Sequence, residues 1–164
     1  MKTHEEYMEL ALEEARKAEE IDEVPVGCVI ICDGEVISRG HNLKEQLNQA
    51  YAHAEMMAIQ KAVEVKGNWC LNDCDLYVTL EPCMMCTGII NLSRIRSVYY
   101  GTTDPKGGCL ETVIDLKKIN RLNHYPNIVR NILQKECSEI LTNYFRKKRE
   151  ITKEKKQKNK ANIQ

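Results

Sequence analysis

At 164 residues, with 43% apolar and 29% charged side chains and a formal net charge of zero, the chain has the size of one domain with a single sizeable core. It contains no run of about 18 apolar residues, which excludes a helix across a membrane, and Met1-Lys2-Thr3-His4-Glu5-Glu6 turns acidic at once, without the apolar stretch of a signal peptide. Cytoplasmic residence is the expectation, and in that reducing setting the eight cysteines are expected as thiols or metal ligands, not as a disulfide framework.

Thr3 and Glu6 have the spacing of a capping box, and Met8, Ala11, Leu12, Ala15 and Ala18 recur on a helical period, which predicts a helix over 4–20. Val24 to Ile31 is β-branched and apolar, Asp33-Gly34 gives a tight turn, and Glu35 to Gly40 returns as a second strand of a hairpin. A polar loop from Asn42 to Gln49 precedes a helix over 52–65, which Gly67-Asn68 ends. Asp75 to Leu80 is a strand, and Pro82 is suited to open a helix over 83–92. Arg96 to Gly101 is a further strand, followed by the Gly-rich loop Asp104-Pro105-Lys106-Gly107-Gly108. A fifth strand is expected over 127–133 and a helix over 135–153. The residues from 151 to 164 are Lys-rich and are expected to be a frayed or disordered tail beyond a domain of residues 1–150. A hairpin followed by alternating helices and strands predicts an α/β sandwich with a mixed sheet.

The zero net charge conceals two opposite ends. Residues 1–24 carry nine acidic and three basic side chains, whereas residues 146–160 carry nine basic (Arg146, Lys147, Lys148, Arg149, Lys153, Lys155, Lys156, Lys158 and Lys160) and two acidic ones. A polyanion approaching the molecule meets that end and not the average, so nucleic acid is a natural partner, though a merely solvated tail has the same composition.

His53-Ala54-Glu55 and Pro82-Cys83-Met84-Met85-Cys86 carry the chemistry. One imidazole and two thiolates close three corners of a tetrahedral zinc site and leave the fourth for water. Glu55, two residues from the histidine, stands where a carboxylate that is not a ligand can relay protons. Both motifs fall at predicted helix starts, where backbone N–H groups favour thiolates, and residues three apart on a helix face the same way. Taken alone, Cys-x-x-Cys also fits a redox dithiol, which leaves His53-Ala54-Glu55 without a role. It fits half of a structural zinc site as well, with Cys109 or His124 as fourth ligand. Cys28, Cys32, Cys70, Cys74, Cys109 and Cys137 are expected to pack as small apolar residues.

With these motifs the chain resembles the tRNA-specific adenosine deaminases of the cytidine/deoxycytidylate deaminase superfamily, which are themselves a standard example of zinc-assisted base deamination. The resemblance runs through Glu23-Val24-Pro25-Val26-Gly27, Gly40-His41-Asn42, Ala52-His53-Ala54-Glu55, Leu76 to Cys86, Asp104 to Gly108, Asn123-His124 and Phe145-Arg146-Lys147-Lys148-Arg149. It implies a cytidine-deaminase-like three-layer α/β/α sandwich on a mixed five-stranded sheet, one Zn2+ per subunit, a homodimer, and a tRNA anticodon stem-loop as substrate. Carried over by position, it implies that His53, Cys83 and Cys86 bind zinc, that Glu55 shuttles protons, and that Asn42 hydrogen-bonds the purine. It places Asp104, Lys106 and Asn123 against the flipped-out anticodon nucleotides, and Phe145, Arg146 and Arg149 on a C-terminal helix that grips the loop. The chain departs from the family at Gln49-Ala50-Tyr51, where Asp-Pro-Thr is common, and at Tyr144, where phenylalanine is usual. Two other readings are a free-base deaminase acting on guanine or cytosine and a non-catalytic zinc protein that binds RNA. The basic end argues against the first, and the presence of Glu55 argues against the second.

Overall fold

The computed structural model describes residues 1–163. Its elements are α1 (His4–Glu20), β1 (Gly27–Cys32), β2 (Glu35–His41), a one-turn α2 (Lys44–Leu47), α3 (Ala54–Lys66), β3 (Cys74–Leu80), α4 (Met84–Leu92), β4 (Ser97–Thr102), β5 (Asn127–Val129) and α5 (Gln134–Ala161). The strands form one sheet in the order β2-β1-β3-β4-β5. β1 pairs antiparallel with β2 and β3, whereas β3, β4 and β5 run parallel, so the sheet is mixed.

The sheet is apolar on both sides because successive side chains along a strand alternate faces. Cys28 and Ile30 of β1 and Leu76 and Val78 of β3 point to one face, where Ala54, Ala58, Ile59 and Ala62 of α3 and Ile90 of α4 cover them. Val29, Ile31 and Tyr77 point to the other, under Tyr7, Met8, Ala11 and Leu12 of α1 and Cys137 of α5. Three layers follow, as the resemblance implies. α1 opens on the expected capping box: the Thr3 hydroxyl accepts from Glu6 N at 3.1 Å, and the Glu6 carboxylate accepts from Thr3 N at 2.7 Å.

Close approach of α3 to β2 depends on Gly40. A Cβ there would collide with the carbonyl oxygen of Ala54 and the amide nitrogen of Ala58, so only glycine lets the helix lie this near the strand. The contact sets the height of α3, and with it the position of His53 and Glu55 at its N-terminal end.

Four elements differ from the sequence expectation, one of them the one-turn α2, which stands inside the expected polar loop. The first strand begins at Gly27, since Pro25 has no N–H for a ladder and Val26 N turns back onto Val24 O at 2.8 Å. β5 is only three residues long, an edge strand paired to β4 from Asn127 to Val129. α5 runs through Ala161, where fraying was expected from 151. Residues 147–161 contain no Gly or Pro and are rich in Lys, Glu and Gln, whose helix propensity is high, so nothing local stops the helix.

Candidate active site

His53 and Cys83 each occupy the N-cap of a helix, α3 and α4, with extended backbone (φ −81°, ψ 156° and φ −74°, ψ 178°). That conformation turns both side chains back across the helix ends toward each other. Cys86, in the first turn of α4, is brought alongside by the three-residue spacing. Cys83 Sγ lies 3.6 Å and Cys86 Sγ 3.7 Å from His53 Nδ1, and the three donor atoms all lie within 4.8 Å of one another. A tetrahedral ion with Zn–S of about 2.3 Å and Zn–N of about 2.0–2.1 Å has S···N edges of about 3.6 Å. The donor set thus fits zinc in both chemistry and spacing.

Neither Cys109 nor His124 belongs to this donor group. His124 Nε2 meets Ile95 O at 2.6 Å, and its carbonyl accepts from Asn91 Nδ2, which pins it near the C-terminal end of α4. Cys109 is buried, with its backbone N donating to Pro82 O at 2.9 Å and its thiol to Gly107 O at 3.4 Å. Among the described residues the donor group has three members, the number a catalytic zinc site takes from protein, where a closed structural site takes four.

The two sulfurs are coupled: hydrogen bonds from the Cys86 thiol, the His53 ring and the Cys86 backbone N–H lower the Cys83 pKa, whereas Cys83 and burial raise that of Cys86. Glu55 is 4% exposed, and burial raises its pKa above the ordinary carboxylate range. A carboxyl group of that kind exchanges protons more readily near neutral pH than an exposed glutamate does.

His53, Glu55 and Cys83 sit at the floor of a cleft of about 660 Å³. Its wall includes Asn42, Asp104 and, from α5, Tyr144 and Lys148. Asn42 works within the fold as well as facing the cleft. Its Nδ2 donates to Val24 O at 3.0 Å and its Oδ1 accepts from Ala54 N at 2.9 Å, which ties the start of α3 to the approach to β1 and leaves one amide N–H for a ligand. Asp104 Oδ1 accepts from Lys106 N and Gly107 N at 3.0 and 3.1 Å, shaping the Gly-rich loop. Lys106, Asn123, Arg146 and Arg149 are exposed and lie outside the lining of the cleft. Phe145 is 44% exposed, edge-on to Tyr144 at 5.4 Å between ring centroids, so it is not a core residue.

Two features carried no sequence signal. Asp22, at φ +61°, takes a hydrogen bond from the Tyr144 hydroxyl on Oδ1 at 3.2 Å and one from Lys148 Nζ on Oδ2 at 2.5 Å, and so fastens α5 to the mouth of the cleft. Glu81, 2% exposed, accepts from the backbone N–H groups of Asp104, Leu110, Glu111 and Thr112 at 3.0–3.3 Å and from the Thr112 hydroxyl at 2.5 Å. It anchors the whole 104–112 loop to the segment that carries Cys83.

At the opposite end of β1 and β3, Cys32 and Cys74 pair across the strands. Both lie in the apolar cluster, and their sulfurs face the Lys66–Asp73 ion pair. Cys28 and Cys137 are fully buried, as small apolar residues are expected to be.

The family model for the cytidine and deoxycytidylate deaminase zinc-binding region matches residues 1–102. A tRNA-specific adenosine deaminase of Bacillus subtilis is 47% identical over 150 residues, covering 92% of this chain and 91% of its own length. That of Agrobacterium fabrum is 47% identical over 148 residues, covering 90% and 96%. The chain belongs to the tRNA-specific adenosine deaminase family. A solved tRNA:A34 deaminase, studied for A-to-I editing at the wobble position, superposes with a TM-score of 0.80 at 46% identity, covering 83% of this chain and 99% of that one. A guanine deaminase of B. subtilis superposes at 0.60 with 30% identity, covering 73% and 87%. Members of this deaminase family are zinc-dependent, and the donor set of His53, Cys83 and Cys86 meets that requirement.

Proposed function

We propose that the chain deaminates adenosine to inosine at the wobble position of a tRNA anticodon, with His53, Cys83 and Cys86 holding zinc and Glu55 moving the protons. The observation that carries this reading is the pair of S···N edges of 3.6 and 3.7 Å beside a buried carboxylate at the floor of an open cleft. Zinc at such a site supplies Lewis acidity and makes water a usable nucleophile near neutral pH. Glu55 accepts a proton from the attacking water and delivers one to the departing amino group, so that adenosine and water give inosine and ammonia. The free N–H of Asn42 orients the purine. Asp104, Lys106 and Asn123 contact neighbouring nucleotides of the extruded loop, and Phe145, Arg146 and Arg149 grip it by stacking and phosphate contact.

The catalytic domain occupies residues 1–150, with residues 151–164 as a basic extension. The protein acts in the cytoplasm as a homodimer. Support for dimerisation comes from α4, on which Met84, Gly88 and Leu92 form an exposed apolar row that no other described residue covers.

The test is incubation of purified protein with unmodified tRNA bearing A34, followed by sequencing, in which inosine reads as an A-to-G change. Conversion at that position is expected. Turnover on free guanine or cytosine exceeding that on an anticodon stem-loop would replace this reading with free-base deamination.

A further inference from the structure

α5 has two halves of different character. Up to Lys148 it is fastened to the body, with Cys137 and Tyr144 buried and Lys148 bonded to Asp22. From Arg149 to Ala161 every residue is exposed, and the helix projects about 20 Å beyond its last anchor at 1.5 Å per residue. Six cations lie on this projection, and among the described residues none of them has a hydrogen-bond or ion-pair partner in the fold.

Their placement is ordered. Arg149, Lys153, Lys156 and Lys160 recur at steps of four, three and four, the spacing that puts side chains in one row along a helix. Exposed Phe145, one turn before Arg149, begins the same row. The two acidic residues of the segment, Glu150 and Glu154, fall on a different face and leave the row uninterrupted. The projection has only Ile151 and Ala161 as apolar positions, on separate faces, so it lacks the apolar stripe by which a helix lies in a lipid surface.

We propose that the projecting half of α5 is an arm that tracks the phosphodiester backbone of the substrate RNA, with Arg149, Lys153, Lys156 and Lys160 as its contact row. The inference rests on the reading that the substrate is tRNA. A linear row of unpaired cations matches a linear row of phosphates, and the helix that carries it lines the cleft with Tyr144 and Lys148 before it projects from the body. Cations there position RNA without reading its sequence. The arm therefore raises affinity for RNA that extends beyond the anticodon loop.

The test compares two variants that each lose three charges: K153Q/K156Q/K160Q on the row and K147Q/K155Q/K158Q off it. Glutamine preserves helix propensity, and far-ultraviolet circular dichroism checks that α5 persists. The dissociation constant for tRNA is measured across a salt series. The row variant is expected to lower the slope of log affinity against log salt by about 2–3, with affinity at low salt falling on the order of tenfold or more. The off-row variant is expected to lose less than half as much slope. Equal losses in both variants, or no loss in the row variant, overturn the arm. So does a row variant that keeps its tRNA affinity but loses binding to polyglutamate or to phosphatidylserine vesicles. The unaltered protein's deamination of the same tRNA is measured in parallel. Failure there removes the substrate reading, whereas deamination with an unchanged salt slope in the row variant removes only the arm.

Discussion

Replacing Glu81 by alanine removes one buried carboxylate that satisfies five donors at once: four backbone N–H groups of the 104–112 loop and the Thr112 hydroxyl. Each buried donor left without an acceptor costs about 1–3 kcal/mol. Five at that cost set an upper range that water entry reduces, because Asp104 and Glu111 are only partly buried and Thr112 is exposed. With that reduction we expect Glu81→Ala to lose about 3–5 kcal/mol, the equivalent of two to three unsatisfied buried donors. For a chain of this size that corresponds to a fall in Tm of about 6–20 °C. Gly108 packs so close to the carboxylate that a Cβ there would strike it, and the cavity left by alanine has this loop as its wall. Thermal and urea unfolding followed by circular dichroism measure the loss. Glu81→Gln, which keeps one acceptor oxygen, should lose less. A Glu81→Ala protein within 1 kcal/mol of the parent would refute the claim that this carboxylate organises the loop.

Gly40→Ala should cost about 1–3 kcal/mol, toward the upper end because the new methyl meets backbone atoms of α3 that cannot rotate away; a urea midpoint equal to the parent's would contradict the packing described. Asp73 is held down to about 2 by its hydrogen bond from Lys66, below the ordinary carboxylate value near 4. Its folded pKa is the lower one, so its stabilisation is present above about pH 4 and disappears as pH falls through 2. Asp73→Asn should therefore lower Tm at pH 6 and match the parent at pH 2; a deficit that stays constant across that range would show that the ion pair is not its source. Leu92→Glu puts a charge in the exposed apolar row of α4 and should shift the mass in light scattering from two chains to one, while an unchanged mass would place the dimer contact elsewhere.

Much of the site was legible because its chemistry demands particular residues at fixed spacing. His53, Cys83 and Cys86 converge because two N-caps and one first turn face each other, and each of those positions follows from a local signal: a helix start after a loop, or a proline before a helix. The α/β sandwich with a mixed sheet was legible from a hairpin followed by alternating helices and strands, and its three layers from the family resemblance. What the sequence did not reveal depends on contacts between distant segments. Glu81 reads as part of a strand-to-helix motif, but its five donors lie more than twenty residues further on. Asp22 reads as one more acid in an acidic stretch, yet it fixes α5 through residues 122 and 126 positions away. The double use of Asn42, as an internal brace and a cleft-lining amide, is invisible to a motif that names only one role. The persistence of α5 to Ala161 was missed because composition alone cannot distinguish a solvated coil from a solvated helix.

The most direct measurement pairs elemental analysis with A34 conversion on the parent and on Glu55→Gln. The account predicts one zinc per chain in both proteins, inosine at position 34 from the parent, and a rate lower by about 10²–10⁴-fold or more in the variant. A parent without zinc, or a Glu55→Gln protein that deaminates tRNA at the parent's rate, would contradict it.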